Sequence, residues 1–127
     1  MSSNPIGLVQ RYLKATEARR LEDAQGYLAP GAEIVFPGGR YTSLSEMVAA
    51  ASARYRWVKK VYDEWDVATR RDGTAIVIST GTLYGENLHG VSFEGVRYID
   101  RFVIRGGKII SQHVWNDLDT SGVLNRR

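Results

Sequence analysis

The chain has 127 residues, of which 43% are hydrophobic and 24% charged, with a formal net charge of +3. These values are typical of one soluble globular domain covering residues 1–127, and no apolar run approaches the roughly 20 residues that would cross a membrane. The basic residues are spread along the chain, which argues against a nucleic-acid binder and predicts that pairs such as Lys59-Lys60 are solvated surface.

Two helices are predicted at the start of the chain. Ser3-Asn4-Pro5 joins a capping residue to a proline suited to the first turn, and apolar residues at helical spacing extend this helix to about Arg19. A second, shorter helix includes Leu28 on its apolar side. Pro30-Gly31 is expected to end it.

A short strand and a third helix come next. Ala32 to Phe36 reads as a strand, and Arg40 to Thr42 can pair back with it after a turn. Ser43-Leu44-Ser45-Glu46 is a capping box, in which the Ser and Glu side chains satisfy each other's free backbone N–H groups. It predicts a helix that runs to about Tyr55.

The rest of the chain has a period of two and is rich in β-branched and aromatic residues, which predicts strands. Asp72-Gly73 and Gly106-Gly107 are hairpin turns, and Gly85 to Gly90 is a looser loop. The four predicted strands are Val58–Thr69, Thr74–Tyr84, Val91–Ile104 and Lys108–Asn116. Such hairpins form a curved, mainly antiparallel sheet, and three N-terminal helices must then cover one face of it. We predict an α+β fold that encloses a cone-shaped cavity.

The strand Val91–Ile104 carries an aspartate among apolar neighbours. One of its two alternating sets is apolar apart from Asp100, so this set is expected to face inward. Two interpretations of Asp100 remain open. It is either a structural carboxylate satisfied by an arginine or by backbone N–H groups, or a carboxyl whose pKa burial raises so that it can donate a proton or a hydrogen bond. The inward set is Val96, Tyr98, Asp100, Phe102 and Ile104.

The last strand, Lys108–Asn116, mixes apolar and polar residues on both of its faces. A sheet with two partly apolar faces is expected to be covered on the outside as well. We predict a homodimer that forms through the convex face.

The order of elements resembles the NTF2-like superfamily, which includes the SnoaL-like polyketide cyclases, scytalone dehydratase and Δ5-3-ketosteroid isomerase. The segments that carry the resemblance are VQRYLKA at Val9–Ala15, the strand that ends in Phe36-Pro37-Gly38, and YIDRFVIRGGKI at Tyr98–Ile109. Because this fold supports many chemistries, the resemblance implies the fold more strongly than the reaction.

Three positions can be compared with the isomerase. Tyr12 matches its oxyanion-hole tyrosine, and Asp100 matches its second donor, a protonated aspartic acid. The isomerase base, an aspartate before a proline, corresponds here to Phe36. The resemblance therefore implies an oxyanion hole without the group that moves the proton, and we do not predict a ketosteroid isomerase.

The end of the chain resembles other members. Alignment of the last strand turns Gln112, Val114 and Asn116 toward the pocket and His113, Trp115 and Asp117 toward the dimer side. Asn116 is similar to a substrate-holding asparagine of scytalone dehydratase. Asp119, ahead of Gly122-Val123-Leu124, loosely resembles an acid–base aspartate of the cyclases.

No cofactor is expected. The chain has no cysteine, its two histidines lack metal-ligand spacing, and no glycine-rich phosphate loop leads from a strand into a helix. The absence of cysteine also fits a reducing cytoplasm, the location that we expect.

We predict a protein that binds a small, mostly apolar molecule with a carbonyl or phenol oxygen. Tyr12 and Asp100 would bind that oxygen, and Asn116 and Gln112 would orient the ligand. As an enzyme it would perform acid–base isomerisation, dehydration or cyclisation; the alternative is a non-catalytic ligand-binding protein or an interaction scaffold.

A cavity lined by Phe36, Tyr98 and Phe102 favours ligand binding, and a cavity filled by those rings favours the scaffold. Asp119 is a further catalytic candidate, and Val114 a further ligand contact.

Overall fold

The structure is a computed structural model that describes residues 4–127. Ser3, part of the predicted start of the first helix, lies outside the described residues. The elements, in chain order, are α1 (Pro5–Glu17), α2 (Leu21–Gln25), β1 (Leu28–Phe36), β2 (Gly39–Tyr41), α3 (Leu44–Ser52), β3 (Tyr55–Thr69), β4 (Ala75–Asn87), β5 (Ser92–Arg105), β6 (Lys108–Asn116) and a 3-10 turn at Val123–Asn125. Among these residues no helix is long and apolar enough to cross a membrane.

The strands form one six-stranded sheet in the order β2-β1-β6-β5-β4-β3. Neighbouring strands are antiparallel except β1 and β6, which are parallel, so the sheet is mixed. The predicted α+β class is confirmed. The parallel pair arises because the chain returns from β5 through a tight hairpin and lays β6 beside the first strand.

The predicted helix starts are confirmed by their caps. Asn4 Oδ1 accepts a hydrogen bond from the Gly7 N–H at 3.1 Å, and Ser43 Oγ accepts one from the Glu46 N–H at 3.4 Å. The predicted ends are two to three residues too late. The first helix ends before Arg19, whose φ of 59° is left-handed and cannot continue a right-handed helix.

The predicted end of the second helix is wrong. This helix stops at Gln25, and Leu28 is already paired with Ile109 in the sheet. Pro30 and Gly31 lie inside β1, in a segment where the pairing with β6 shifts register and Gly31 has a φ of 74°. Proline has no N–H donor and is tolerated in such a bulge. The Pro30-Gly31 pair, which was predicted to end a helix, therefore marks an irregular part of a strand.

The four long strands are present, and β4 extends through part of the predicted loop at Gly85–Gly90. Gly81 and Gly85 lie in β4 where β3 crosses it closely. A Cβ atom at either glycine would collide with a β3 carbonyl oxygen, of Val61 and Trp57 respectively. These glycines therefore permit the close approach of the two strands.

Two groups of buried apolar side chains fill the interior. The larger group joins α1 to the sheet through Val9, Tyr12, Val77, Phe102 and Ile109. The smaller group lies at the other end of the long strands and consists of Leu83, Phe93, Val96, Tyr98, Leu118 and Val123.

Candidate functional site

A cavity of about 370 Å³ lies between the two apolar groups. Its volume is within the range of small-molecule sites, which are mostly apolar with a few convergent polar groups. The apolar part of the wall is formed by Leu13, Phe36, Met47, Val58, Leu83, Val114 and Leu118. The polar side chains include Tyr12, Lys60, Tyr98, Asp100, Gln112 and Asn116.

The structure brings most of the predicted site residues together at this cavity. The predicted residues on its wall are Tyr12, Phe36, Tyr98, Asp100, Gln112, Val114, Asn116 and Asp119. Phe102 is not among the residues that line it. Its ring is completely buried, and it meets the ring of Tyr12 edge-on with centroids 6.1 Å apart. Phe102 thus lies behind the wall and supports Tyr12, because α1 covers that end of β5.

The inward set predicted for β5, Val96, Tyr98, Asp100, Phe102 and Ile104, is buried. Val103 of the other set is buried as well, so the alternation of burial does not extend to the end of the strand. Asp100 is 0% exposed. Strand pairing places it between Ser79 on β4 and Val114 on β6, at the centre of the sheet.

The Asp100 carboxyl has no hydrogen-bond partner at either oxygen among the described residues. Asp100 is therefore not the structural carboxylate of one of the two interpretations, because neither an arginine nor a backbone N–H group contacts its oxygens among the described residues. Burial raises the pKa of Asp100, and the nearby Lys60 ammonium opposes this with a smaller effect. The group therefore holds its proton to a higher pH than an exposed aspartic acid.

Lys60 is the main residue that the sequence reasoning missed. Its Nζ lies 3.6 Å from Asp100 Oδ2, an ion pair longer than a hydrogen bond, and 5.4 Å from the centroid of the Tyr98 ring. The interpretation of Lys59-Lys60 as solvated surface is wrong for Lys60, because neighbours on a strand point to opposite faces. The available signal was its position two residues from Val58, which also faces the cavity.

Two tyrosines hold their protons beside the carboxyl. The Tyr12 hydroxyl donates to Gln112 Oε1 at 2.7 Å, and the Tyr98 hydroxyl shares a 2.9 Å hydrogen bond with Ser79 Oγ. Burial, with a smaller effect of the Asp100 charge, raises the pKa of Tyr12. Burial likewise raises the pKa of Tyr98 to about 12. Both phenols can therefore donate hydrogen bonds at neutral pH.

Asn116 and Asp119 lie nearer the rim. Asn116 Oδ1 accepts from the Leu118 N–H at 3.1 Å and so shapes the turn after β6. Asp119 Oδ1 is 2.8 Å from Arg54 Nη2, and its side chain is 73% exposed. Asp119 is thus placed to affect entry to the cavity, while Asp100 is at its buried end. Arg54, which also lines the cavity, was not expected from the sequence.

The outer face of the sheet carries His113, Trp115 and Asp117, the side to which the resemblance assigned them. His113 Nε2 lies 3.3 Å from Glu33 Oε1 and is not among the residues of the inner cavity. Across residues 4–127, no group of three or more His, Asp or Glu side chains is arranged to hold a metal ion.

The position of the isomerase base is occupied by an apolar side chain. Phe36 lies on the cavity wall beside Pro37, where a carboxylate would be needed to move a proton. Asp100 is the only completely buried carboxylic acid among the described residues, so acid–base chemistry at the inner end would depend on it and on Lys60.

No protein-family model and no curated protein sequence matches the chain. Solved structures do match. TerC, crystallised with polyporic acid, has a TM-score of 0.79 and 16% identity over 95% of this chain and 98% of its own. An NTF2-like protein of unknown function from Burkholderia pseudomallei has a TM-score of 0.80 and 15% identity over 98% of this chain and 100% of its own.

A candidate ketosteroid isomerase from Shewanella frigidimarina also matches, with a TM-score of 0.68 and 21% identity over 86% of this chain and 92% of its own. Similarity at these identities concerns the backbone and leaves the chemistry open. On these matches and on the order of its elements, the chain has the NTF2-like fold.

Proposed function

We propose that this protein binds a small, mostly apolar molecule through a carbonyl or phenol oxygen that hydrogen-bonds to Asp100. The observation that carries the proposal is a completely buried carboxyl without a hydrogen-bond partner, facing an apolar cavity. An unpartnered buried polar group is costly and uncommon, and a ligand oxygen would supply the missing partner.

The polar end of the cavity suits a ligand oxygen that gains negative charge. A protonated Asp100 can donate to a carbonyl, and the Lys60 ammonium, 3.6 Å away, would stabilise an enolate or phenolate. Tyr12 would act with Asp100 when its hydroxyl turns from Gln112 to the ligand. The resulting reaction class is cofactor-independent isomerisation, dehydration or cyclisation.

A non-catalytic ligand-binding protein is the second candidate, and Phe36 favours it. An apolar ring at the position of the isomerase base removes one route for proton transfer. An interaction scaffold would be favoured by a filled interior, whereas Phe36 and Tyr98 border an open cavity here. Turnover of a bound compound, measured by product formation, distinguishes the enzyme from the binding protein.

Ligand binding is expected to raise the thermal stability of the protein. We would screen phenols, enones, steroids, aromatic polyketides and polyporic acid by thermal shift. A ligand at about 100 times its Kd should add about 2.7 kcal/mol to the free energy of unfolding. Replacing a hydrogen-bonding group of the site, in Tyr12→Phe or Asp100→Leu, should weaken binding about tenfold, equivalent to about 1.4 kcal/mol.

Tyr84→Phe is the matched control, since Tyr84 packs on Trp57 and is not among the cavity residues. It should bind the ligand as the wild type does. Equal affinity in Asp100→Leu and wild type would contradict the role of the carboxyl.

We also propose that the protein is a homodimer through the outer face of the sheet. Val61, Ile99 and Trp115 on this face are 54%, 46% and 52% exposed, and Ile99 lies directly opposite Trp115 on the neighbouring strand. Clusters of exposed apolar side chains on a sheet are typical of interfaces, and a two-fold dimer would pair the same patch on both subunits.

Trp115→Glu should convert this dimer into a monomer, because it places a charge opposite Ile99 at the centre of the patch. Sedimentation at micromolar concentration would measure the change in mass. Leu88→Glu provides the control, since Leu88 is exposed in the loop after β4 and is not part of this patch. A monomeric wild type at that concentration would rule out the proposed dimer.

A further inference from the structure

We propose that Lys60 forms a reversible imine with an aldehyde or ketone bound in the cavity. This inference rests on the proposed function, since it requires a carbonyl ligand there. It adds a covalent step, carried by an amine whose position the sequence did not indicate.

The amine of Lys60 lies on the cavity wall beside Asp100. Its side chain is only 23% exposed, and it emerges from β3 on the same face as Val58. The Nζ atom lies over the ring of Tyr98 and 3.6 Å from Asp100 Oδ2. A carbonyl compound that enters this cavity would therefore meet a primary amine beside its polar end.

The contact between Lys60 and Asp100 is not a closed hydrogen bond. A charge-assisted N–H···O hydrogen bond is about 2.7–2.9 Å long, and this pair is longer. Both carboxyl oxygens also lack any hydrogen bond among the described residues. A purely structural ion pair in a buried position would be expected to close this distance and to gain further partners.

Asp100 provides what a lysine nucleophile requires, an acceptor for the ammonium proton. Only the neutral amine attacks a carbonyl carbon. When the pair is ionised, the Asp100 carboxylate can take a proton from Lys60, which leaves the amine that attacks and a carboxylic acid that can protonate the carbinolamine.

The reaction is balanced without any other reagent. The neutral amine forms a bond to the carbonyl carbon, and the carbonyl oxygen takes the proton that the attacking nitrogen releases, which gives a neutral carbinolamine. The Asp100 carboxylic acid then protonates the carbinolamine hydroxyl as its C–O bond breaks, and one water leaves. The net change converts an ammonium ion and a carbonyl compound into an iminium ion and water, with the Asp100 carboxylate restored.

The test uses 4-hydroxybenzaldehyde and borohydride, which reduces an imine to a stable amine. In wild-type protein, peptide mass spectrometry should locate one hydroxybenzyl group on Lys60, at least about tenfold more than on Lys59, because the cavity holds aldehyde and amine together. Lys60→Arg should lose this label, and Lys59→Arg should retain it. Asp100→Asn should slow labelling about a hundredfold, as expected for loss of a general acid–base group.

Labelling spread equally over Lys14, Lys59, Lys60 and Lys108 in the wild type would overturn the inference, whether or not the variants fold. Binding of 4-methylphenol, which has no carbonyl, is measured in parallel by thermal shift. If 4-methylphenol binds but Lys60 is not labelled, the imine is ruled out and the proposed ligand site stands. If neither occurs, the imine is ruled out and the proposed function loses its support.

Discussion

Asp100→Asn should make the protein more stable at pH 7, although it alters a buried residue at the centre of the sheet. The wild-type carboxyl is completely buried without a hydrogen-bond partner, and burial outweighs Lys60 in raising its pKa. The asparagine side chain has nearly the same shape and no charge to desolvate. Each unit by which burial raises the pKa is worth about 1.4 kcal/mol.

The same reasoning predicts how this stability difference depends on pH. Below the ordinary pKa of 3.8, Asp100 is protonated in both the folded and the unfolded chain, and the carboxyl contributes its full stability. As the pH rises from 3.8 through the higher folded-state pKa, the unfolded chain releases the proton more readily, so stability is lost. The advantage of Asp100→Asn should therefore be small at pH 3.5 and grow toward pH 7.

Urea unfolding of both proteins across this pH range measures the difference, and Asp66→Asn, at an exposed position of β3, serves as the control. If the ion pair with Lys60 dominated instead, Asp100→Asn would leave an uncompensated cation. It would then be less stable at pH 7, by about 3–5 kcal/mol if the pair behaves as fully buried.

The predictions from sequence succeed where a local pattern determines the structure. Period two on β5 places Asp100 among buried neighbours, and Gly106-Gly107 forms the turn between β5 and β6 with both residues at positive φ. These features depend on residues close together in the chain. They can be recognised without knowing which strand lies beside which.

The predictions fail where the structure of a segment depends on contacts with residues that are distant in the sequence. Pro30-Gly31 has the composition of a helix end, but pairing of β1 with β6 makes it a strand bulge. The sequence around Lys60 is that of a surface lysine, and its contact with Asp100 on β5 is visible only in the folded structure. The hydrogen bond from Tyr12 to Gln112 joins residues 100 positions apart. Strand order and register, rather than local preference, create the polar end of the cavity.

Phe102→Ala should be the most destabilising of the substitutions considered, with a loss of about 3–5 kcal/mol, because it leaves a void in a packed core. The Phe102 ring is completely buried in the group that joins α1 to the sheet. Phe36→Ala should cost about 2 kcal/mol or less, since Phe36 is only half-buried and borders a cavity that already exists. Urea unfolding compares the two variants directly.

The two substitutions should also differ in their effects on ligand binding. Phe36→Ala enlarges the cavity at its wall and should change which ligands fit. Any Phe102→Ala protein that remains folded should bind more weakly, because Tyr12 loses the ring against which it packs. Equal losses of stability in the two variants would mean that Phe36 is as much a part of the core as Phe102. The wall of the cavity would then not be where the structure places it, and the residues proposed to hold the ligand would have to be assigned again from Asp100 outward.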